Sequence, residues 1–139
     1  MFVRTLSEGD IPALRELDAL AFSADEQYDG EFYGETIGTG GFEAIGIVNR
    51  SGSIVAWVLV DATRHTVRIR SLAVHPSFRR RGLASDLITG VLEKHRAKPV
   101  DLLVDQHNAA AVALYRRFDF ADADPDPQMP ERLRMVRRG

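Results

Sequence analysis

The chain has 139 residues, 45% hydrophobic and 27% charged, with a net charge of −2 and no cysteine. That length suits one compact domain over residues 1–139 around a single core, and the near balance of charge makes no whole-molecule case for a nucleic-acid partner. The missing cysteine excludes disulfides, thiolate metal sites and a cysteine nucleophile.

The charge is unevenly placed. Arg64 to Lys98 holds nine Lys and Arg against Asp86 and Glu93, whereas Glu16 to Asn49 holds eight carboxylates and no Lys or Arg. One half is suited to an anion and the other to a cation. The opening MFVRTLSEGD has no apolar run of signal-peptide length, and no segment approaches the ~20 apolar residues of a membrane span. A soluble cytoplasmic protein without a membrane partner is the expectation.

Phe2 to Leu6 reads as a first strand. Asp10-Ile11-Pro12 then supplies a helix cap with proline in the first turn, where its missing N–H costs little. Ile11, Leu14, Leu17 and Ala21 keep helical spacing. Phe22 to Gly41 carries five glycines, four aromatics and five carboxylates, with a short helix expected near Glu31 to Ile37. A long irregular stretch of this kind is either a plain connection or a substrate-lining loop.

Phe42 to Val48 reads as a strand, Asn49 to Gly52 as a turn, and Ser53 to Val60 as a strand hydrophobic enough to be central in a sheet. Asp61 to Arg64 turns back into Val67 to Val74, where Val67, Ile69, Ser71 and Ala73 alternate with Arg68, Arg70, Leu72 and Val74. His75-Pro76 ends that strand. From Leu83 the period changes, and Ala84, Leu87, Ile88, Val91 and Leu92 share one helical face for about three turns.

Lys98-Pro99 breaks the chain before Val100 to Val104, a strand reached through a helix and so expected to run parallel to its predecessor. Asn108 precedes Ala111, Leu114, Tyr115 and Phe118 at helical spacing. ADADPDPQMPE reads as a loop and Arg132 to Arg137 as a closing strand. The order β-α-βββ-α-β-α-β predicts an α/β or α+β domain with a mixed central sheet of about six to seven strands and flanking helices.

The loop Ser77 to Ser85, SFRRRGLAS, delivers a glycine and a small residue to the first turn of a helix. Free N–H groups and the helix dipole there attract an anion, and a Cβ at 82 or a large side chain at 84 would crowd it. The alternative is a solvated basic turn. No lysine and hydroxyl follow Gly82, as a nucleoside-triphosphate loop requires, and the three glycines of a dinucleotide fingerprint are missing. Asn108 and Tyr115 lie close to two turns apart on one helix face. Taken alone, Asn108 is an ordinary N-cap and Tyr115 a core aromatic.

Arg79, two residues, Gly82, one residue and Ala84, following Leu72-Ala73-Val74, resemble the cofactor loop of the GNAT family of N-acetyltransferases. QHNAAAVALYRRFDF is similar to the same family's N-x-x-A-x-x-L-Y-x-x-x-G-F segment, with Asp119 standing where the glycine is usual. The resemblance runs from Phe2 through the final strand. It implies two central parallel strands that splay apart after Leu72-Ala73-Val74, and a cofactor, acetyl-CoA. Its pantetheine arm would be bound by the main chain of Leu72, Ala73 and Val74 and contacted by Asn108. Its pyrophosphate would be held by Arg79, Arg80, Arg81, Gly82, Leu83, Ala84 and Ser85.

Tyr115 matches the tyrosine that protonates the departing thiolate. No metal is implied, and a homodimer is compatible with the family. Where some members carry a glutamate, this chain has Arg68, Arg70 and Leu103, so a base would act through water from Glu26, Glu31, Glu35, Glu43 or Asp61.

The implied activity is transfer of acetyl to a primary amine by direct attack in a ternary complex. A non-catalytic acyl-CoA-binding or regulatory module is the alternative, and nucleic-acid binding is disfavoured because no aromatic stacking pattern accompanies the arginines. Asp25, Glu26, Asp29, Glu31 and Glu35, with Asp122, Asp124, Asp126 and Glu131, would favour a polycationic acceptor unless they are ordinary solvated charges.

Overall fold

The computed structural model describes residues 1–21, 37 and 40–138. A seven-stranded sheet runs in the order β1-β2-β3-β4-β5-β7-β6. Its strands are β1 (Phe2–Thr5), β2 (Phe42–Val48), β3 (Ile54–Asp61), β4 (Val67–Val74), β5 (Val100–Val104), β6 (Ala121–Ala123) and β7 (Leu133–Arg137). Among the described residues the α-helices are α1 (Ile11–Ala21), α2 (Leu83–Lys94) and α3 (Ala109–Arg117). All neighbouring strands are antiparallel except β4 and β5, which are joined through α2 and run parallel. None of these helices is long and apolar enough to cross a membrane. The short helix expected near Glu31 lies outside the described residues.

Each face of the sheet has its own core. Leu14 and Leu17 of α1 pack with Leu6, Ile37, Ala44, Trp57, Leu59 and Ala73 on one side. On the other, Leu87, Ile88 and Val91 of α2 and Tyr115 of α3 pack with Val58, Val60, Val67, Ile69, Leu102 and Met135. β3 is covered on both faces, which is why its sequence is nearly unbroken in hydrophobicity.

Two sequence expectations need correction. Asp10 does not cap α1 directly. It closes a 3-10 turn over Glu8–Asp10 that runs into the helix, where its carboxylate accepts the Ser7 N–H at 2.9 Å and the Arg4 guanidinium at 2.9 and 3.1 Å. The stretch after Phe120 is also not all loop, because Ala121–Ala123 pairs with β7 from Ala121 opposite Val136 to Ala123 opposite Arg134. Ala-Asp-Ala has little strand propensity of its own, so the pairing is imposed by β7 and not by local sequence.

On the buried face of α1, Asp18 is 1% exposed and accepts a 2.9 Å hydrogen bond from Trp57 Nε1. Burial pushes its carboxyl up to about 6, with the Trp57 bond opposing, against ~4 in an unfolded chain. The native state thus holds this proton more tightly than the unfolded one. The stabilisation is complete below about pH 4 and is lost as pH rises through about 6. Asp18→Asn should remove this contribution, so wild type should gain stability relative to the variant between pH 7 and pH 4.5 in urea unfolding. A difference that stays constant with pH would show that Asp18 does not titrate in that window.

Candidate active site

The site begins with a backbone irregularity. Along the β3–β4 ladder Leu59 faces Ser71 while Val60 faces Ile69, so Arg70 is an extra residue in β4. A bulge of this kind bends the strand and reverses which face each side chain meets. Below it Val67 and Ile69 point to the α2 side; above it Leu72 and Val74 take over that side and Ala73 turns to α1. The simple alternation read from the sequence therefore breaks at Arg70.

The parallel pairing of β4 with β5 ends at the same level, with Ile69 opposite Leu102. Beyond it one backbone edge of β4 faces no strand. The opening starts at Ile69 and not after Val74 as expected, because the bulge bends β4 away before Leu72 is reached. Leu72, Ala73 and Val74 lie within the opened stretch. A cleft of about 610 Å³ occupies the gap, a volume typical of ligand sites. Asn108 and Tyr115 line it from α3, while Arg68, Asp126 and Arg132 line it from the opposite face of the sheet.

The loop above β4 has the backbone that anion binding needs. Gly82 has φ +77 and Arg80 φ +64, two left-handed residues flanking Arg81. The first intrahelical bond of α2 runs from Asp86 N–H to Gly82 C=O at 3.0 Å, so the N–H groups of Leu83, Ala84 and Ser85 are left for other acceptors. A Cβ built on Gly82 meets nothing within 4 Å. Glycine is favoured here by its backbone conformation, and the space over it is open to a ligand. The Leu83 side chain is buried in the core, which leaves only its backbone to serve the loop.

The arginine side chains do not converge. Arg79 donates to the Ala21 carbonyl at the end of α1 at 3.4 Å, and the Arg81 guanidinium lies 4.9 Å over the Phe78 ring.

Asn108 caps α3, its side-chain oxygen accepting the Ala111 N–H at 3.2 Å, which leaves its NH₂ group for the cleft. Two turns on, Tyr115 is 8% exposed with its ring edge-on to Phe120. Burial pushes its phenol up to about 12. At neutral pH it is therefore a protonated donor, and no hydrogen bond engages its hydroxyl among the described residues. Asp119 adopts φ +68, so it makes the left-handed turn expected of glycine and the segment keeps its geometry.

Sequence reasoning named Arg68 and Asp126 singly but missed the network that joins them in the other wall. Arg68 donates to Asp101 through two nitrogens at 3.0 and 2.9 Å and to Asp126 at 2.8 Å, and Arg134 donates to Asp101 at 2.9 Å. The Gln128 N–H and then Arg68 hold the Asp126 carboxyl below its usual range. A signal was present in VRI and VDL, whose matching starts place Arg68 beside Asp101 once the strands are parallel.

Of the base candidates, Glu43 is tied to Lys94 at 2.8 Å and His95 at 2.9 Å, and Asp61 accepts from Thr63. Neither lines the cleft. Glu26, Glu31 and Glu35 lie outside the described residues. Among those residues no group of three His, Asp or Glu could hold a metal.

An opened parallel pair, with a loop of free N–H groups above it and a phenol beside it, is the arrangement that the family resemblance implied. The family model described as acetyltransferase (GNAT) family matches residues 11–120, and the chain belongs to that family. It is 32% identical over 77 residues to an acetyltransferase of Yersinia enterocolitica, a match covering 53% of this chain and 55% of that protein. The chain thus spans about half the length of the curated relative it matches.

The fold is that of the ribosomal-protein-S18-alanine N-acetyltransferase from Escherichia coli, with TM-score 0.81 and 19% identity over 97% of this chain and 90% of that one. It is likewise that of Arabidopsis thaliana NAA60 in complex with acetyl-CoA, with TM-score 0.79 and 17% identity over 98% and 97%.

Proposed function

We infer that the protein transfers the acetyl group of acetyl-CoA to a primary amine by direct attack in a ternary complex. The observation that carries this reading is the opening of β4 from β5 at Ile69, with the free amides of Leu83 to Ser85 at one end and neutral Tyr115 on its wall. Acetyl-CoA, when bound, supplies an acyl group already activated as a thioester. Leu72, Ala73 and Val74 offer main-chain groups to its extended arm, and the Asn108 amide donates to the same arm. Arg79 to Ser85 surround its pyrophosphate through backbone N–H groups and the helix dipole. Tyr115, protonated at neutral pH, donates a hydrogen bond to the departing sulfur as the C–S bond breaks, and a proton it passes to the thiolate is returned to the phenol from water.

The acceptor must arrive as a neutral amine, and its surplus proton leaves through water. A non-catalytic acyl-CoA-binding module is the second reading, favoured by Glu43 and Asp61 lying off the cleft. A polycationic acceptor loses part of its support, because Asp122 is held by Arg116 and Asp126 by Arg68.

Tyr115→Phe tests the assignment. Expected is a fall in kcat of ~10²-fold, the lower end of the range for general acids, with affinity for acetyl-CoA little changed. Release of free CoA from acetyl-CoA across a panel of amines is the assay. Undiminished kcat in the variant would make Tyr115 a packing residue, and no CoA release by wild type with any amine would favour the binding module.

A further inference from the structure

We propose that the acceptor amine carries an anionic group, of which a carboxylate is the best match, and that Arg132 receives it. This deepens the acetyltransfer reading and rests on it for the word acceptor. The cleft is walled on the side away from Tyr115 by Arg68, Arg70, Asp126 and Arg132. Asp126 is consumed by Arg68 at 2.8 Å, and the other nitrogens of Arg68 that bond are consumed by Asp101. That pair adds no charge to the cavity.

Arg132 differs from its neighbours. It is half-buried on the cleft wall, and its guanidinium has no ion pair or hydrogen bond among the described residues. Its backbone is fixed, donating its N–H to Met129 C=O at 3.1 Å. The next residue, Leu133, stands opposite Val104 at the end of β5, so Arg132 is held beside the opened end of that strand.

A guanidinium cannot shed its proton to escape partial burial. Its planar fork matches a carboxylate bidentately, and such a bond is stronger than one between neutral groups. An acceptor with its amine toward Leu72 and Tyr115 and its carboxylate at Arg132 would span the cleft, compensating a wall cation that has no partner of its own among the described residues. An acceptor with a second ammonium would meet that charge with the same sign.

The test uses the full chain saturated with CoA and calorimetric titration with 4-aminobutanoate, 4-aminobutanamide and 1,4-diaminobutane, then with dipeptides and their C-terminal amides. In at least one matched set the carboxylate form should bind roughly tenfold more tightly than its amide, with the diamine weakest, and the preference should shrink as salt rises from ~0.1 to ~1 M. Arg132→Gln should erase the preference and Arg132→Lys should restore part of it, because lysine keeps the charge and loses the fork.

Equal binding of carboxylate and amide in every set, tighter binding of the diamine, or a preference surviving in Arg132→Gln would each overturn the proposal. CoA release from acetyl-CoA is read in parallel. Carboxylate-selective binding without turnover supports the anion site while sinking the transfer reading, and turnover without that selectivity does the reverse.

Discussion

Gly82→Asp is expected to abolish the stabilisation that acetyl-CoA gives the protein while leaving the free chain folded. The substitution is sterically mild, since a Cβ at this position has no protein atom within 4 Å, and aspartate is among the side chains that enter the left-handed region most readily. Its cost falls on the ligand. A carboxylate placed ~4 Å from a phosphate charge repels it by roughly 4 kcal/mol at an effective dielectric of 20, equivalent to about three orders of magnitude in affinity.

Wild type with cofactor at ~100 times its Kd should gain about 2.7 kcal/mol by mass action, visible as a raised Tm, and the variant should gain nothing. Gly82→Asn separates the two causes, having the same size and backbone tolerance without the charge, and should keep part of the shift. An unaltered Tm gain in the folded aspartate variant would mean the pyrophosphate does not sit on this loop.

The largest stability effect should come from Arg68→Leu. Asp101 is 1% exposed and depends on Arg68 for two hydrogen bonds and on Arg134 for one. Removing Arg68 leaves Asp101 under-compensated in the interior and also frees Asp126. Breaking one side of a buried pair costs ~3–5 kcal/mol, which for a chain of this size lowers Tm by about 10–20 °C. Replacing both partners, Arg68→Leu with Asp101→Leu, should recover much of the loss, because two apolar groups need no partners. Urea unfolding of the two single variants and the double decides it. A loss below ~1 kcal/mol for Arg68→Leu would show the network to be solvated.

Where the pattern was periodic, the elements were legible in the sequence. Phe42–Val48, Val67–Val74 and Val100–Val104 appear with the bounds expected of them, because apolar runs there are closed off by glycine, proline or a turn. The helix from Leu83 was visible as a change of period. Ala121–Ala123 was not legible, since its strand exists only by pairing with β7.

The candidate site divides along the same line. Gly82, Asn108 and Tyr115 sit in local motifs whose spacing can be read along the chain. Arg68, Asp101, Asp126 and Arg132 come from three separate segments, and their meeting is a property of the sheet. The bulge at Arg70 lies between these cases. Apolar positions 67 and 69 giving way to 72 and 74 record a change of parity, yet Ser71 and Ala73 are small enough to pass for either face.

The bulge also says what kind of information the site is written in. What opens the sheet is the count of residues between Ile69 and Ser71, one more than β3 can match, and a backbone detour asks for a residue without asking for a particular side chain. Point substitutions at position 70 would leave the gap open, whereas loss of a single codon would bring β4 back into step with β3, restore one alternation along its whole length and let the two parallel strands close. In this fold the slot is encoded by chain length, and a deletion of three nucleotides at position 70 would harm it more than any exchange of that side chain.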